Sequence, residues 1–310
     1  MIRVSETPFT VAALTHPGLS GKQNEDRFAV SAYRLGRRDA TPSLFAVVSD
    51  GIGGHRAGEV AAEIAVEVLS QTVAASSGRT PLATLQEAVR EASQAISNQA
   101  RDDTQRLGMG TTCACVWIIA NRLYTASVGD SRIYLLRGDS LQQLSTDHTW
   151  IQEAVERGLL DPEEARRHPN MHVIRRYLGS TLPPRPDLRL RLHPEDTDSQ
   201  AEANQGAAIQ AGDVFLLCTD GLTDLVTDDE IRVILSEQEP SAAAQALIDL
   251  ACERGGHDNI TVVLIAVPPH FRSPRMDPRL RLWLMGAGMG AILLALILIA
   301  TFWALLQALP

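Results

Sequence analysis

The strongest constraint on this chain is that no residue from Leu282 to Pro310 carries a charge. About 20 apolar residues in a helix suffice to cross a bilayer, so we expect a transmembrane helix over 282–306 and a short tail over 307–310. The alternative is a buried core helix, but uninterrupted apolar runs in core helices are usually shorter than this one. Because the segment is C-terminal, we do not interpret it as a signal peptide.

The stretch before this segment, residues 268–281, is rich in proline and arginine and contains one acid, Asp277. This composition predicts an extended juxtamembrane linker. Basic residues beside a membrane span favour its cytoplasmic side. We therefore expect a single-pass protein of the cell membrane whose main domain, residues 1–267, is cytoplasmic.

The main domain is acidic. The whole chain has 28 Lys and Arg against 37 Asp and Glu, a net charge of −9, and all the acids except Asp277 fall within residues 1–267. Nucleic acid is not an expected partner of such a surface. The four cysteines form no C-x-x-C pair, which predicts a reducing compartment and no disulfide or metal role for Cys113, Cys115, Cys218 and Cys252.

Short runs rich in Val, Ile, Leu and Phe end in Gly, Asp or Asn, as strands do. The predicted strands cover 44–48, 111–119, 122–128, 133–137, 214–218 and 260–267. Because only short turns separate several of them, we expect neighbouring strands to pair as antiparallel hairpins.

Apolar residues at helical spacing predict helices over 57–75, 82–100 and 241–252. Thr80 and Pro81 are expected to cap and begin the second helix, and a capping box from Thr227 to Glu230 is expected to begin another. The polar stretch 196–206 reads as a surface loop. These elements together predict an α+β fold, with antiparallel sheet covered by helices.

Four aspartates fall where predicted strands meet loops, and two of them share the pattern of an apolar run followed by Ser or Thr, Asp and Gly. They are Asp50, Asp130, Asp220 and Asp258. One such aspartate is usually a turn residue, but four brought together would repel one another unless cations neutralised them. Oxygen ligands select Mg²⁺ or Mn²⁺ over Zn²⁺. The adjacent pair Glu25 and Asp26 could complete the set.

A pair of metal ions held by carboxylates suits phosphoryl chemistry, because the metals polarise a phosphate and lower the pKa of a bound water. The sequence has no G-x-S-x-G elbow, no Walker A motif and no cysteine-phosphatase loop. The residues therefore predict hydrolysis of a phosphomonoester by a metal-activated water.

Seven short motifs resemble, in order, those of the metal-dependent type 2C (PPM) serine/threonine protein phosphatases, and the resemblance spans about residues 10–267. The motifs are NED (24–26), VVSDGIGGHRAGE (47–59), GTT (110–112), VGDSRIY (128–134), LSTDHT (144–149), CTDGLTD (218–224) and GGHDNITVV (255–263). The resemblance implies an antiparallel β-sandwich flanked by helices, in four α-β-β-α layers, with a binuclear Mn²⁺ or Mg²⁺ centre at one end of the sheets.

The resemblance also implies roles for individual residues. Asp50 would bridge the two metals, the carbonyl of Gly51 would bind one of them, and Asp220 and Asp258 would bind the other. Glu25 and Asp26 would hold metal-bound waters, Asp130 would belong to a third, weaker metal site, and His257 and Asn259 would support the ligands or form turns. The implied substrates are phosphoserine and phosphothreonine in proteins, among them a Ser/Thr kinase.

The chain departs from the family pattern at two positions. Many members have an Arg that grips the substrate phosphate where this chain has Gly21, and the neighbouring Lys22 could replace it only as a point charge. Animal members have a His, a proposed general acid, where this chain has Ile52; His55 follows nearby, and the general acid stays unassigned. These departures keep a second hypothesis open, a catalytically weak pseudophosphatase that binds phosphoproteins.

Two further features have open alternatives. Residues 147–179 match the mobile flap of bacterial members. Its arginines could meet an acidic phosphoprotein or could form a solvated helical face; they are Arg166, Arg167, Arg175 and Arg176. Gly286 and Gly290 form a G-x-x-x-G pair that could dimerise the predicted span or could reflect chance, so the oligomeric state stays open.

Overall fold

The computed structural model describes residues 1–53, 57–103, 106–161, 164, 168–170 and 172–271. Residues Met1–Phe271 form one compact unit. The strands are β1 (Ile2–Val4), β2 (Thr10–His16), β3 (Arg27–Arg34), β4 (Pro42–Ser49), β5 (Gly51–Ile52), β6 (Gly110–Thr111), β7 (Cys113–Ile119), β8 (Arg122–Val128), β9 (Arg132–Arg137), β10 (Ser140–Gln143), β11 (Ala207–Ala208), β12 (Val214–Cys218) and β13 (Ile260–Ala266). The helices are α1 (Ala57–Ala75), α2 (Pro81–Asp102), α3 (Trp150–Glu156), α4 (Asp198–Ala203), α5 (Asp220–Thr223), α6 (Asp228–Glu237) and α7 (Pro240–Glu253).

The strands form two antiparallel sheets and a small third one. The first sheet has the order β1-β3-β4-β7-β8-β11, the second has the order β10-β9-β12-β13-β2, and β5 pairs with β6. The pairings between the described strands are antiparallel, as the sequence predicted.

Three apolar clusters separate four layers. Along β4, Leu44 and Val48 face the second sheet, whereas Phe45 and Val47 face α1 and α2 on the outside. On the outer face of the second sheet, Leu216 and its neighbours pack against α6 and α7. Because successive side chains of a strand point to opposite faces, one apolar run supplies two cores. The predicted α+β sandwich with helices on both faces is confirmed.

One predicted hairpin is wrong. The strands β8 and β9 follow each other closely but lie in different sheets, and residues 129–131 carry the chain across between them. The crossing begins at Gly129, whose φ of +102° lies in the region that side chains rarely adopt. A Cβ there would also stand 2.5 Å from the Thr112 side chain, so glycine is required at this turn.

The helix predictions hold with small corrections. The capping box at Thr227 is present, but Thr80 makes no side-chain cap; the start of α2 relies on Pro81 instead. The stretch expected to be a loop contains α4, because Thr197 and Gln200 form a second capping box. Two long strands, β2 and β3, were not predicted from the sequence.

No helix in the described part of the chain is both long and apolar enough to cross a membrane. The span predicted over 282–306, the tail over 307–310 and the linker beyond Phe271 lie outside the described residues and stay predictions. The compact unit itself extends past the predicted boundary at residue 267, since the ring of Phe271 packs 5.6 Å, centroid to centroid, from that of Phe9. The four cysteines are free, as expected.

Candidate metal centre

Strand register brings the predicted acids to one end of the two sheets. In the first sheet Arg27 pairs with Ser49, so Asp26 and Asp50, one residue further on each strand, are adjacent. In the second sheet Cys218 at the end of β12 pairs with the first residue of β9 and with Val262 of β13. The turns that carry Asp130, Asp220 and Asp258 therefore meet at the same end.

The proximity of these acids affects their electrostatics. Burial raises the pKa of Asp50 well above its ordinary value, and the charges of Asp220, Asp26 and Asp130 add to the effect. Burial also raises the pKa values of Asp130 and Asp220. By surface area, Asp50 and Asp220 are only partly buried, so both residues keep some contact with solvent.

Asp26 is the deepest carboxylate of the group, with 2% of its surface exposed. Its Oδ2 atom accepts hydrogen bonds from the hydroxyls of Thr219 at 2.9 Å and Thr261 at 2.7 Å. Burial raises the pKa of Asp26 to about 7. The two hydrogen bonds lower this pKa in part, whereas the charges of Asp220 and Asp258 raise it further.

Two buried oxygens of the group have no hydrogen-bond partner, namely Oδ1 of Asp26 and Oδ1 of Asp130. Buried polar atoms are normally paired, and an unpaired carboxylate oxygen is costly unless a cation or an ordered water approaches it. The donor set consists of carboxylates, which fits hard divalent ions such as Mn²⁺ and Mg²⁺.

The Thr pair of the GTT motif holds the Asp50 turn. The Asp50 amide donates to Oγ1 of Thr112 at 2.9 Å, and the Thr111 hydroxyl donates to the Asp50 carbonyl at 2.6 Å. The Thr112 and Ser131 hydroxyls lie 2.6 Å apart, which ties the Asp50 turn to the turn after Asp130. The sequence identified this motif without a role for it; the structure assigns it the positioning of two predicted ligands.

Glycines allow Glu25 to approach the Asp50 turn. A Cβ built on Gly58, in the first turn of α1, would stand 2.7 Å from Oε2 of Glu25 and 2.7 Å from the Gly51 carbonyl. The backbone of Gly51 and the carboxylate of Glu25 are thus neighbours, as the predicted ligand set requires.

Asn259 fastens the loops around Asp258. Its Oδ1 atom accepts from the Glu25 amide at 2.7 Å, its Nδ2 donates to the Pro17 carbonyl at 3.0 Å, and its amide donates to Asp258 at 2.9 Å. This bonding fits the supporting role predicted for Asn259. The other residue predicted for that role, His257, is exposed and its ring packs against Gly255.

Lys22 lies at the edge of the group. Its Nζ atom is 3.8 Å from Oδ2 of Asp258, and both side chains are more than half exposed. Gly21, which stands where family members have an arginine, has a φ of +75° and open space around the position of a Cβ. Lys22 thus lies beside a predicted metal ligand, and its role in phosphate binding stays a prediction.

Two residues of the site were not predicted. Ligand atoms of His172, Asp220 and Asp224 lie within 4.8 Å of one another, and His172 Nδ1 is 3.3 Å from Oδ2 of Asp224. Burial, followed by the charge of Asp220, raises the pKa of Asp224 to about 6. Asp224 follows Asp220 by one helical turn, a spacing that could have identified it; nothing local marked His172.

Some predicted residues have no described environment. His55, Arg166 and Arg167 lie outside the described residues. Of the other flap arginines, Arg175 approaches Glu153 at 3.7 Å, and Arg176 Nη1 lies 3.2 Å from the His148 ring.

Residues 19–250 match the family described as Protein phosphatase 2C. The chain belongs to the protein phosphatase 2C family. Its relatives include the serine/threonine protein phosphatase PstP of Mycobacterium tuberculosis, 37% identical over 83% of this chain and 44% of PstP. They also include the protein phosphatase PhpP of Streptococcus pneumoniae, 34% identical over 83% of this chain and 97% of PhpP. The chain thus spans less than half the length of PstP but nearly all of PhpP.

Solved structures agree with this membership. The catalytic domain of PstP, described in complex with two manganese ions, is 35% identical to this chain, covers 83% of it with 97% of its own length, and superimposes with a TM-score of 0.67. The protein phosphatase 2C fold expected from the motifs is confirmed, and manganese in a relative agrees with the Mn²⁺ or Mg²⁺ predicted from the carboxylates.

Proposed function

We propose that this chain hydrolyses phosphoserine and phosphothreonine in proteins at a binuclear Mn²⁺ or Mg²⁺ centre. The observation that carries the proposal is the gathering of Asp26, Asp50, Asp130 and Asp220, whose burial and mutual charge raise every one of their pKa values. Such a group is stable in its ionised form only with cations bound to it. The name of PstP supports a serine/threonine phosphoprotein as the substrate, and that of PhpP a phosphoprotein.

The residues divide the work according to their positions. Asp50 and the Gly51 carbonyl, together with Asp220 and Asp258, would hold the two ions, which when bound polarise the phosphate and lower the pKa of a water. Glu25 and Asp26 lie in the loop before β3, beside the Asp50 turn, and would orient that water. Lys22, exposed beside Asp258, would attract the dianionic phosphate.

We propose a third, weaker ion at Asp130. Its unpaired Oδ1 atom and the effect of the Asp220 charge on its pKa support this assignment. Ligand atoms of Asp224 and His172 lie within 4.8 Å of that of Asp220, so these two residues would add an oxygen and a nitrogen ligand near it.

The experiment that tests the activity uses residues 1–271, the compact unit, with a phosphothreonine peptide and Mn²⁺. We expect turnover that disappears in Asp50→Asn and Asp220→Asn. No turnover, or turnover that survives either substitution, would refute the proposal. Tight binding of Mn²⁺ and phosphopeptide without turnover would favour the pseudophosphatase hypothesis. That hypothesis rests on Gly21 and Ile52, the two positions where the chain departs from the family pattern.

We further propose that the uncharged segment 282–306 anchors the domain to the cytoplasmic face of the cell membrane, where the substrates would include a Ser/Thr kinase. The support is the sequence itself, an uncharged segment that follows an arginine-rich linker. The full chain should float with lipid vesicles in a density gradient while a chain ending at Phe271 stays at the bottom. Equal behaviour of the two chains would overturn the anchor.

A further inference from the structure

The segment 147–179, named here the flap segment, is fastened at its end to the turn of Asp50. Leu178 and Thr111 exchange backbone hydrogen bonds of 2.8 and 3.1 Å. The hydroxyl of the same Thr111 donates to the Asp50 carbonyl at 2.6 Å. The end of the flap segment and the predicted metal ligand Asp50 are thus both hydrogen-bonded to Thr111.

The beginning of the flap segment is fastened to the turn of Asp130 in the same manner. The His148 amide donates to the Gly129 carbonyl at 2.9 Å, and the Gly129 amide donates to Nδ1 of His148 at 3.0 Å. Gly129 directly precedes Asp130 in the crossing between the two sheets. The two bonds form a closed pair, which leaves the peptide before Asp130 little freedom to turn.

The imidazole of His148 also forms a hydrogen bond through its second nitrogen. Because Nδ1 accepts a hydrogen bond, the ring carries its proton on Nε2, which donates to Oδ2 of Asp187 at 3.3 Å. Arg176 Nη1, also a donor, lies 3.2 Å from Nε2 and therefore makes no hydrogen bond with it.

Asp187 is a fixed partner for this ring. Although burial opposes it, hydrogen bonds from His148 and Arg189 lower the pKa of Asp187 below its ordinary value. Asp187 also exchanges backbone bonds of 2.9 and 3.0 Å with Ser127 of β8. The ring of His148, 5% exposed, is thereby anchored to the first sheet on one side and to the Asp130 turn on the other.

The backbone of His148 also bonds to the later part of the flap segment. The Arg175 amide donates to the His148 carbonyl at 2.7 Å, and the Trp150 amide donates to the Val173 carbonyl at 2.8 Å. One residue therefore bonds to the Asp130 turn through its ring and to the flap segment through its backbone.

We propose that His148 is a positioning residue that couples the flap segment to the metal affinity of the Asp130 turn. Loss of its Nδ1 acceptor would leave the buried Gly129 amide unpaired, and the turn would shift until that amide found water. The Asp130 carboxylate would move with it, away from Asp220. The inference rests on the proposed metal centre, but not on the proposed hydrolysis.

The test compares three variants of the full chain, with Mn²⁺ as the probe. His148→Asn keeps an oxygen near the place of Nδ1 and loses Nε2; His148→Leu loses both; Asp187→Asn keeps the ring and weakens its anchor. We measure Mn²⁺ binding by calorimetry, hydrogen exchange of the Gly129 amide, and the melting temperature. We expect His148→Leu to bind the weakest Mn²⁺ at least tenfold less tightly and to exchange the Gly129 amide at least tenfold faster.

In His148→Asn, which retains the acceptor, both quantities should stay within about threefold of the wild type, and Asp187→Asn should fall between the two. A purely structural role predicts lower melting temperatures with unchanged Mn²⁺ binding, and that result would overturn the proposal. If His148→Leu does not fold, the other two variants decide. A tenfold loss of Mn²⁺ affinity in His148→Asn, with unchanged exchange of the Gly129 amide, would overturn the proposal. Unchanged Mn²⁺ affinity in His148→Asn, with slightly weaker Mn²⁺ binding in Asp187→Asn, would support the proposal.

The two proposals fail in distinguishable ways. A wild-type chain that binds Mn²⁺ but does not hydrolyse a phosphopeptide would contradict the proposed hydrolysis, and the His148 titrations would still decide the coupling. A wild-type chain that binds no Mn²⁺ would overturn both.

Discussion

Gly221 lies directly against the backbone carbonyl of Asn259: a Cβ built on Gly221 would stand 2.0 Å from that oxygen. Gly221 follows Asp220, and Asn259 follows Asp258. The close approach of the two backbones therefore sets the separation of two predicted metal ligands that belong to different strand ends. Only glycine allows it, because the clash is with backbone rather than with a movable side chain.

Gly221→Ala should force these two turns apart. Overpacking of this kind usually costs about 1–3 kcal/mol of unfolding free energy. We also expect at least tenfold weaker Mn²⁺ binding, measured by calorimetry alongside urea unfolding. Gly36→Ala is the matched control, because a Cβ there meets its nearest neighbour, Asp39, at an ordinary 3.8 Å. Equal Mn²⁺ affinity in the two variants would show that the Gly221 contact does not set the site.

The metal-free protein should lose stability as the pH rises from about 4 to about 7. Burial raises the pKa of Asp26 to about 7 and that of Asp224 to about 6, both from 3.8, so between these values the folded state binds more protons than the unfolded chain. The buried Asp26 carboxyl lowers the unfolding free energy by about 1.4 kcal/mol per pH unit within its window, and the exposed Asp224 contributes less because water screens its charge.

The measurement is the melting temperature at pH 5 and pH 7.5, with chelator and with Mn²⁺. We expect Mn²⁺ to raise it more at pH 7.5, where the carboxylates are ionised and need the cation. Asp26→Asn, which retains an acceptor for Thr219 and Thr261, should flatten the pH dependence of the metal-free protein. The same slope in Asp26→Asn and wild type would refute the assignment to Asp26.

Lys22 is the only lysine of the sequence, which allows its role to be observed directly. After reductive methylation, its dimethylamine signal in the NMR spectrum should shift on titration with inorganic phosphate in the presence of Mn²⁺. The N-terminal amine, whose ammonium donates to the Ala74 and Ser76 carbonyls, is the internal reference and should not shift.

In kinetics, Lys22→Ala should raise KM for a phosphopeptide about tenfold, equivalent to ~1.4 kcal/mol of binding, while Lys22→Arg should retain most of the affinity. Exposed cations contribute modestly, so a larger effect is not expected. An unchanged KM in Lys22→Ala would show that another group binds the phosphate.

Asp224→Asn should weaken the binding of the weakest Mn²⁺ about tenfold, because it removes a charge from the group that includes His172 and Asp220. Asp229→Asn is the control: its side chain is 95% exposed at the start of α6. Calorimetry measures the Mn²⁺ affinity of the two variants, and their melting temperatures show whether both are folded. Equal loss of affinity in both would indicate a general effect of net charge and no local role.

Much of the site could be predicted from local pattern. An apolar run followed by Asp-Gly predicts the end of a strand without reference to the rest of the chain. Asp50 and Asp220 could therefore be placed at strand ends from the sequence. The capping box at Thr227 was equally local, since its partner Glu230 lies within one turn.

The failures share one cause, which is dependence on distant partners. Strands β8 and β9 resembled a hairpin because only three residues separate Val128 from Arg132, yet each has its neighbours in a different sheet. His172 carried no local signal, and the motif that contains His148 gave that residue no role, because their partners Gly129, Asp187 and Asp224 come from other segments.

The sequence by itself determined the antiparallel α+β class and marked the acids at strand ends, because apolar runs and turn residues act over a few positions. The family and the two-sheet sandwich followed from the resemblance of its ordered motifs. Only the tertiary structure decided which acids face one another and which residues hold their turns. Strand register and the approach of Gly221 to Asn259 are set by packing across the whole domain. The free energy of gathering buried carboxylates likewise depends on distances that no local pattern specifies.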